Sequence, residues 1–527
     1  MAIISTEQTK RLFAIHGWSG AILGLLLYVV VLTGALAVFA AEIGNWANSG
    51  SDHHDPLARW VGVATTKAAA DVPDEYKEEI SISYDHSGDL WFFFHTHAKN
   101  AAGRLEDKGV MVALDTDTHE VISWQEGFRS ELPTADAADA LARFFVDLHI
   151  TLHVPHPWGL YLTGLLGFVM LAAAISGFLL HRHLIRDLFL APRLSSRLLR
   201  ARDRHILAGS WGLLFAIILA FTGAFFSFAT SLGLPVVAAV AFGGDQAAMV
   251  EAVIGAPEAE DPRPELLVSL DGVLRQSSAL AGTRTTFISI EHFGRVDARI
   301  SVFHEPVEGG FRPFHHLFDG TTGKFLGSPP TLGAVPSAGD TVFGVMSALH
   351  FGTFAGFLSR MIWFGLGLAM AYVTVTGLQL WLKRRADDLT WQRVGRLVLA
   401  TVYGLPIAIC GATLAFFVSL PLQGTGFWTP TGFLASSAAC LATAWWIDDA
   451  DRLRRLCRMV LGGMLFALPM VRFLISGDGW IRLLSTQNTA VIVLDFSLLL
   501  AGAGLLYMTC RPASEAPSAP RESEAAE

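Results

Sequence analysis

Apolar runs long enough to cross a hydrocarbon core of about 20 residues recur at 21–40, 159–180, 208–230, 361–382, 397–420, 433–447, 460–474 and 490–509. They predict about eight membrane-spanning helices. Their spacing is uneven: two long polar intervals, about 42–157 and 231–349, separate the first span from the second and the third from the fourth. Within the first interval the period changes to two. Ile80-Ser81-Ile82-Ser83-Tyr84 alternates, Leu90 to His95 is aromatic and dense, and Val112 to Val121 reads as strand, turn, strand. His316 to Phe325 repeats that signal in the second interval. The pattern predicts an integral membrane protein, mainly α-helical, carrying two small α+β domains outside the bilayer.

The spans themselves repeat. His16-Gly17-Trp18-Ser19-Gly20 leads to Thr33-Gly34, and His205 leads through Gly209 to Thr222-Gly223, with 18 residues from histidine to the second glycine in both copies. Eighteen steps of about 100° make five turns, so each histidine shares a helix face with its distant glycine, and Gly20 and Gly209, at i+4, fall on that face too. A second pair alternates with the first: Leu148-His149 leads to Ser176-Gly177 and Leu349-His350 to Thr376-Gly377, over 28 and 27 residues. The order implies duplication of a helix–domain–helix unit, 1–190 and 195–385, followed by four further spans at 394–510. An imidazole above a groove without side chains suits a flat macrocycle such as haem, with Gly20, Gly34, Gly209 and Gly223 giving clearance. Small residues that let apolar helices approach closely are the alternative reading of those glycines.

A composition of 52% hydrophobic residues and a mean hydropathy of +0.45 over 527 residues exclude an ordinary soluble enzyme. Basic residues are retained on the cytoplasmic side. Lys10-Arg11, the run from Arg182 to Arg204 and Lys383-Arg384-Arg385 therefore place both termini in the cytoplasm and both polar intervals outside. The first span is expected to be retained rather than cleaved, because its pattern recurs at 208–230. A net charge of −9 gives no support for a nucleic-acid partner, and the tail 511–527, rich in Ser, Pro, Ala and Glu, reads as disordered. Cysteines 410, 440, 457 and 510 lie in or beside the last four spans, with no CxxC or CxxCH pattern, so disulfides and covalent haem attachment are unsupported.

Aligning Asp115 with Asp319 also aligns Thr118 with Thr322, while His119 stands where the second copy has Gly323. Strand, Asp-x-x-Thr-Gly-type turn and strand, set between helices that begin Leu-His or His-x-Trp, resemble the PepSY-associated transmembrane family. The stretch Asp147-Leu148-His149-Ile150-Thr151-Leu152-His153-Val154-Pro155-His156-Pro157-Trp158-Gly159 strengthens the likeness, which covers about 9–385. The resemblance implies PepSY-like periplasmic domains and a place in the bacterial inner membrane. It further implies kinship with two-haem reductases that act on ferric siderophores.

All 18 histidines lie at or before His350, so any bis-histidine haem must be built in the first four spans. Depth pairs His16 with His205 at the cytoplasmic ends, and His149 with His350 at the outer ends. Two non-covalent, b-type haems are expected. His153 and His156 are rivals of His149, which is preferred because the Leu-His pair recurs at His350. Interfacial histidines bonded to headgroups or carbonyls are the plainer alternative. His95-x-His97 and His315-His316 have chelating potential, though strand packing is the expected role; Arg312, His315 and His316 are the polar groups nearest the intact turn and are candidates for contact with an acceptor. Arg472 and Asp495, at membrane depth, are expected to pair. No Gly-x-Gly-x-x-Gly or Walker A pattern occurs, so the reductant comes from another protein, a soluble carrier or quinol. Transfer of electrons across the bilayer to a ferric chelate is the leading expectation. A PepSY scaffold with structural histidines and a siderophore transporter remain as alternatives.

Overall fold

A computed structural model describes residues 5–510 except 49–56, 58–59, 85–88, 102, 104, 117, 133–138, 182–187, 190–192, 194–196, 255–259, 306, 308–313, 331–335, 423 and 486–488. Arg312 and the tail 511–527 lie outside the described residues. The chain forms two compact units, Met1–Arg384 and Arg385–Glu527.

In the first unit α1 (Thr6–Ala37) starts at a capping box, in which Ser5 Oγ accepts from the Gln8 amide and the Gln8 side chain accepts from the Ser5 amide. The chain then enters the extramembrane region through α2 (Val61–Ala69) and strands β1 (Glu79–Tyr84), β2 (Leu90–Lys99), β3 (Leu105–Leu114) and β4 (Val121–Phe128). It returns by α3 (Asp139–Ile150) to α4 (Trp158–Leu180). The second copy repeats this course: α5 (Arg197–Trp211) with α6 (Leu213–Phe228), then α7 (Leu270–Ala281), β5 (Thr285–Glu291), β6 (Arg299–His304), β7 (Phe314–Asp319), β8 (Phe325–Gly327), α8 (Ala338–Phe351) and α9 (Gly356–Lys383). The spanning helices form one bundle in which α1 packs on α4 and α9, α4 on α6, and α5 on α9. Small residues allow this: a Cβ added to Gly367 of α9 would lie 2.9 Å from Ala35 Cβ, and one on Gly167 of α4 would lie 3.3 Å from Ala224 Cβ. The copies differ at one break, since α5 and α6 meet at Gly212 with a 63° bend whereas α1 runs unbroken.

The two outer segments do not make two separate sheets. Their strands join in one eight-stranded antiparallel sheet, ordered β4-β3-β2-β1-β5-β6-β7-β8. The seam is β1 against β5, where Ser81 faces Ser289, Ile80 faces Ile290 and Ile82 faces Ile288. This register is self-complementary, so a pseudo-twofold axis passes through the Ser81–Ser289 pair and relates the copies. Alternation puts Ile80, Ile82, Phe92, Phe94, Val110, Ile288, Ile290, Ile300, Val302 and Phe318 on one face, where α2 and α7 cover them in a single core. The repeated turn is built as its sequence implies. Asp319 Oδ1 accepts from the amides and hydroxyls of Thr321 and Thr322; burial opposes its ionisation, yet these bonds prevail and hold its pKa at about 2. In the first copy Asp115 accepts from the Thr118 amide, and His119, at φ +60°, takes the left-handed position that Gly323 occupies at φ +70°. Its ring stacks on Trp60 at 3.8 Å.

Buried histidines on β6 and β7 make this half of the sheet sensitive to acid. Ser277 Oγ lies 2.7 Å from His304 Nε2 and 3.0 Å from His316 Nδ1, and His315 stacks on Phe303. Burial pushes all three pKa values down, and the neighbouring His316 lowers His304 and His315 further. The unfolded chain takes up protons below about pH 6.5 and the folded one does not, so stability present above that pH is lost as pH falls through it. Amides of β5–β7, corrected for intrinsic rates, should exchange faster at about pH 5.5 than at about pH 7.5. The change should be smaller in β1–β4, where the lowered His95 is opposed by His97, raised by its bond to Asp107. Equal protection of β5–β7 at both pH values would contradict this.

The second unit holds α10 (Leu389–Ser419), α11 (Thr425–Trp446), α12 (Ala450–Ser476) and α13 (Thr489–Cys510). Glycines set its contacts: a Cβ on Gly432 of α11 would meet Gly411 O of α10 at 2.6 Å, and one on Gly502 of α13 would meet Gly462 O of α12 at 2.8 Å. Arg472 and Asp495, 1% and 0% exposed, form a two-point ion pair of 3.2 and 2.7 Å. Trp480 Nε1 donates to Asp495 at 2.9 Å, and Arg472 also donates to Asp478 O and Ser476 Oγ, which spends the charges locally.

Among the described residues six helices are long and apolar enough to span a membrane, or seven with the bent α5–α6 pair. This fits the expected multi-pass membrane protein. The 433–447 run lies in α11, which has the length of a span but is diluted in apolarity by Thr, Ser, Gly and Trp.

Candidate functional site

Four helices of the first unit bring the four repeat-related histidines together in two pairs. His16 on α1 faces His205 on α5, and His149 near the end of α3 faces His350 near the end of α8; both pairs have ring centres 6.2 Å apart. The ring planes meet at 71° in the first pair and 27° in the second.

Each imidazole is anchored through Nδ1. His16 donates to Ala173 O at 3.0 Å with Ser176 Oγ at 3.3 Å, and His205 to Val373 O at 3.0 Å with Thr376 Oγ1 at 3.1 Å. His149 donates to Val30 O at 2.9 Å. His350 Nδ1 lies 3.0 Å from Thr222 Oγ1, whose own proton goes to Ile218 O at 2.7 Å, so the ring is the donor there as well. A carbonyl or an already spent hydroxyl accepts only from a protonated Nδ1, which leaves Nε2 of every ring with its lone pair. Among the described residues no hydrogen bond occupies any of these four Nε2 atoms. This is the tautomer that a metal-bound histidine needs.

Glycines also seat the histidines of neighbouring helices. Gly34 lies against His149, where an added Cβ would be 2.6 Å from Cε1, and Gly223 against His350 at 3.2 Å. Gly177 and Gly377 do the same for His16 and His205, both at 3.2 Å. Each Ser/Thr-Gly pair is thus the seat of a histidine from a neighbouring helix, with glycine clearing the ring. Helical periodicity reports what shares a face on one helix and is silent about what packs opposite. Gly20 has nothing within 4 Å of an added Cβ, and Gly209 has only Val373 Cγ1 at 3.8 Å. Ser176, Gly177, Thr222, Thr376 and Gly377 were missed as site residues, although the fourfold Ser/Thr-Gly pattern was there to find.

The ring-centre spacing is what one metal ion shared between two facing Nε2 atoms would require. Two metal–nitrogen bonds of about 2 Å, plus about 1 Å from each nitrogen to its ring centre, give about 6 Å. Between His16 and Val30, the level at which His149 docks, α1 rises about 21 Å, so the pairs sit near opposite ends of the bundle. His153 turns away and stacks on Phe144 at 4.4 Å. His181 contacts Ser210 at 3.4 Å.

Of the polar groups expected near the second turn, His315 and His316 diverge. His315 and His316 are adjacent on a strand and so point to opposite faces, His315 beside Phe303 and His316 into the core. They form no chelating pair, and Arg312 lies outside the described residues. Among the described residues no group of three or more His, Cys, Asp or Glu is placed to hold a metal ion.

The first unit corresponds closely to a known family. The model of the PepSY-associated TM region matches residues 13–384, which contain all four paired histidines and their Ser/Thr-Gly seats. An uncharacterized protein of Pseudomonas aeruginosa is 30% identical over 256 residues, taking in 46% of this chain and 63% of that relative's length. The extent of the family match settles the assignment: the chain belongs to the PepSY-associated transmembrane family.

Proposed function

We propose that this chain is a haem-containing oxidoreductase of the bacterial inner membrane that passes single electrons from the cytoplasmic side to a ferric chelate in the periplasm. The observation that carries the reading is the pair of imidazole pairs, each 6.2 Å between ring centres and each ring anchored through Nδ1. His16 with His205, and His149 with His350, would each hold one b-type haem, which supplies one-electron chemistry when bound. The residues around them keep the rings in place: Ser176, Thr376 and Thr222 fix tautomer and orientation, and Gly177, Gly377, Gly34 and Gly223 leave room for the imidazoles. Ligand basicity rises with such hydrogen bonds. Basic residues flanking the far end of the bundle support a cytoplasmic location for His16 and His205, with the sheet outside. The electron donor would be a cytoplasmic carrier or quinol. Reduction of a ferric chelate releases its metal because hard oxygen ligands hold Fe(III) far more tightly than Fe(II).

Purified protein supplied with haem is reconstituted into vesicles enclosing a reductant, with a ferric chelate and a ferrous indicator outside. Ferrous iron should appear outside only when protein is present, and a His16→Ala variant should abolish it. Haem-replete vesicles that deliver no electrons would overturn the assignment.

A further inference from the structure

The face of the sheet opposite the α2 and α7 helices carries two adjoining hollows, one of about 220 Å³ and an open groove of about 610 Å³, which share Asp107 and Arg129. Trp91 and Phe93 line the smaller, and the larger reaches Arg143 on α3. Together they have the size of a small-molecule site. Two guanidiniums, Arg129 and Arg143, and two carboxylates, Glu106 and Asp107, line the larger hollow, and the carboxylates hydrogen-bond to other groups. Asp107 is engaged by His97 Nδ1 at 2.8 Å, and Glu106 accepts from Asn100 Nδ2 at 2.8 Å and from the Ser130 amide at 3.0 Å. Among the described residues neither Arg129 nor Arg143 has an ion pair, and Arg129 lies over the Phe93 ring at 5.6 Å. Two guanidiniums facing one groove repel, and a bound anion relieves that repulsion through forked hydrogen bonds to planar oxygens. The location also fits: Arg143 precedes His149 by six residues, about 9 Å along α3.

We infer that this groove seats the electron acceptor and selects an anionic chelate, one presenting carboxylate or catecholate oxygens to Arg129 and Arg143, over a cationic hydroxamate chelate. The identity of the ligand as an acceptor rests on the proposed function; the anion preference rests on the groove alone.

Gallium(III) complexes copy the charge and shape of ferric ones without accepting an electron, so calorimetry on the haem-loaded protein in detergent reads binding separately from turnover. Gallium citrate should bind at least about tenfold more tightly than the gallium complex of a cationic linear trihydroxamate, and Arg129→Gln and Arg143→Gln should each weaken it by about tenfold. Arg143→Lys, which keeps the charge, should retain most of the binding. An unchanged haem spectrum shows that the variants are folded, and Arg129, which follows β4 and is not part of α3, tests the idea without altering the helix that carries His149. Short-chain phosphatidylglycerol should fail to displace gallium citrate; displacement at equal concentration would assign the groove to lipid headgroups and overturn the inference. Equal affinity for both gallium complexes, or binding indifferent to both Gln variants, would overturn it too. Arginine-dependent gallium binding without reduction of any ferric chelate would sink the electron-transfer reading and leave the anion site standing.

Discussion

His350→Ala should leave a folded protein with about half the bis-histidine haem signal and electron delivery to an outside acceptor lowered by more than about 100-fold. Each pair draws its two histidines from different copies of the repeat, and the pairs lie about 21 Å apart along α1, so loss of one ring leaves the other pair's contacts intact. The haem proposed for His16 and His205 should still be reduced from the far end of the bundle. His205→Ala should give the mirror image, with reduction possible only from the sheet side. Two further variants separate ligation from packing. Thr222→Val keeps the His350 ring but removes the acceptor of its Nδ1 proton, and should loosen haem by about tenfold rather than abolish binding. His153→Ala should leave both haems in place, because that ring stacks on Phe144 and faces no partner imidazole. Difference spectra and haem-to-protein ratios of size-exclusion-purified variants read all four. Loss of both haems from every single variant that still elutes as folded protein would contradict independent pairs.

The second large effect lies in the other unit and should spare the histidine pairs. Arg472→Met should destabilise the α10–α13 unit by about 3–5 kcal/mol, because it strips the fully buried Asp495 carboxylate of its two-point ion pair. Asp495→Leu should cost a similar amount by leaving the buried guanidinium charge without its carboxylate. The double change removes both charges together and should recover most of that loss, since replacing a buried pair with apolar groups is often close to neutral. Unfolding of the purified variants by a denaturing detergent, followed by helix content, measures the three values. Haem spectra should be unaltered throughout, because no residue after Lys383 takes part in either histidine pair. Additive losses in the double variant would show that the two charges are not each other's main support.

The sequence made parts of this architecture legible and hid others for identifiable reasons. The 18-residue spacing from His16 to Gly34 and from His205 to Gly223 exposed the duplication, because equal spacing on a helix survives any detail of packing. The joining of β1 to β5 was not legible: Ile80-Ser81-Ile82 predicts a strand with one buried face, but nothing in alternation names the partner of an edge about 200 residues away. Periodicity likewise put Gly34 on the face of His16, whereas the glycine clears His149 from another helix. His315 and His316 were a different case. Period-two alternation already separates neighbours on a strand, so their division between core and opposite face was readable beforehand. Arg129 and Arg143 were out of reach, since they meet only where the end of β4 and the start of α3 approach the same groove.

The most direct measurement is electron paramagnetic resonance of the oxidised, haem-replete protein together with its haem-to-chain ratio. Two haems per chain and two distinct low-spin ferric signals are predicted. The near-parallel His149–His350 pair, at 27°, should give a rhombic spectrum, and the His16–His205 pair, at 71°, the strongly anisotropic type of crossed imidazoles. One haem per chain, a high-spin signal from a single axial ligand, or no haem in protein made with ample haem supply would contradict two bis-histidine sites.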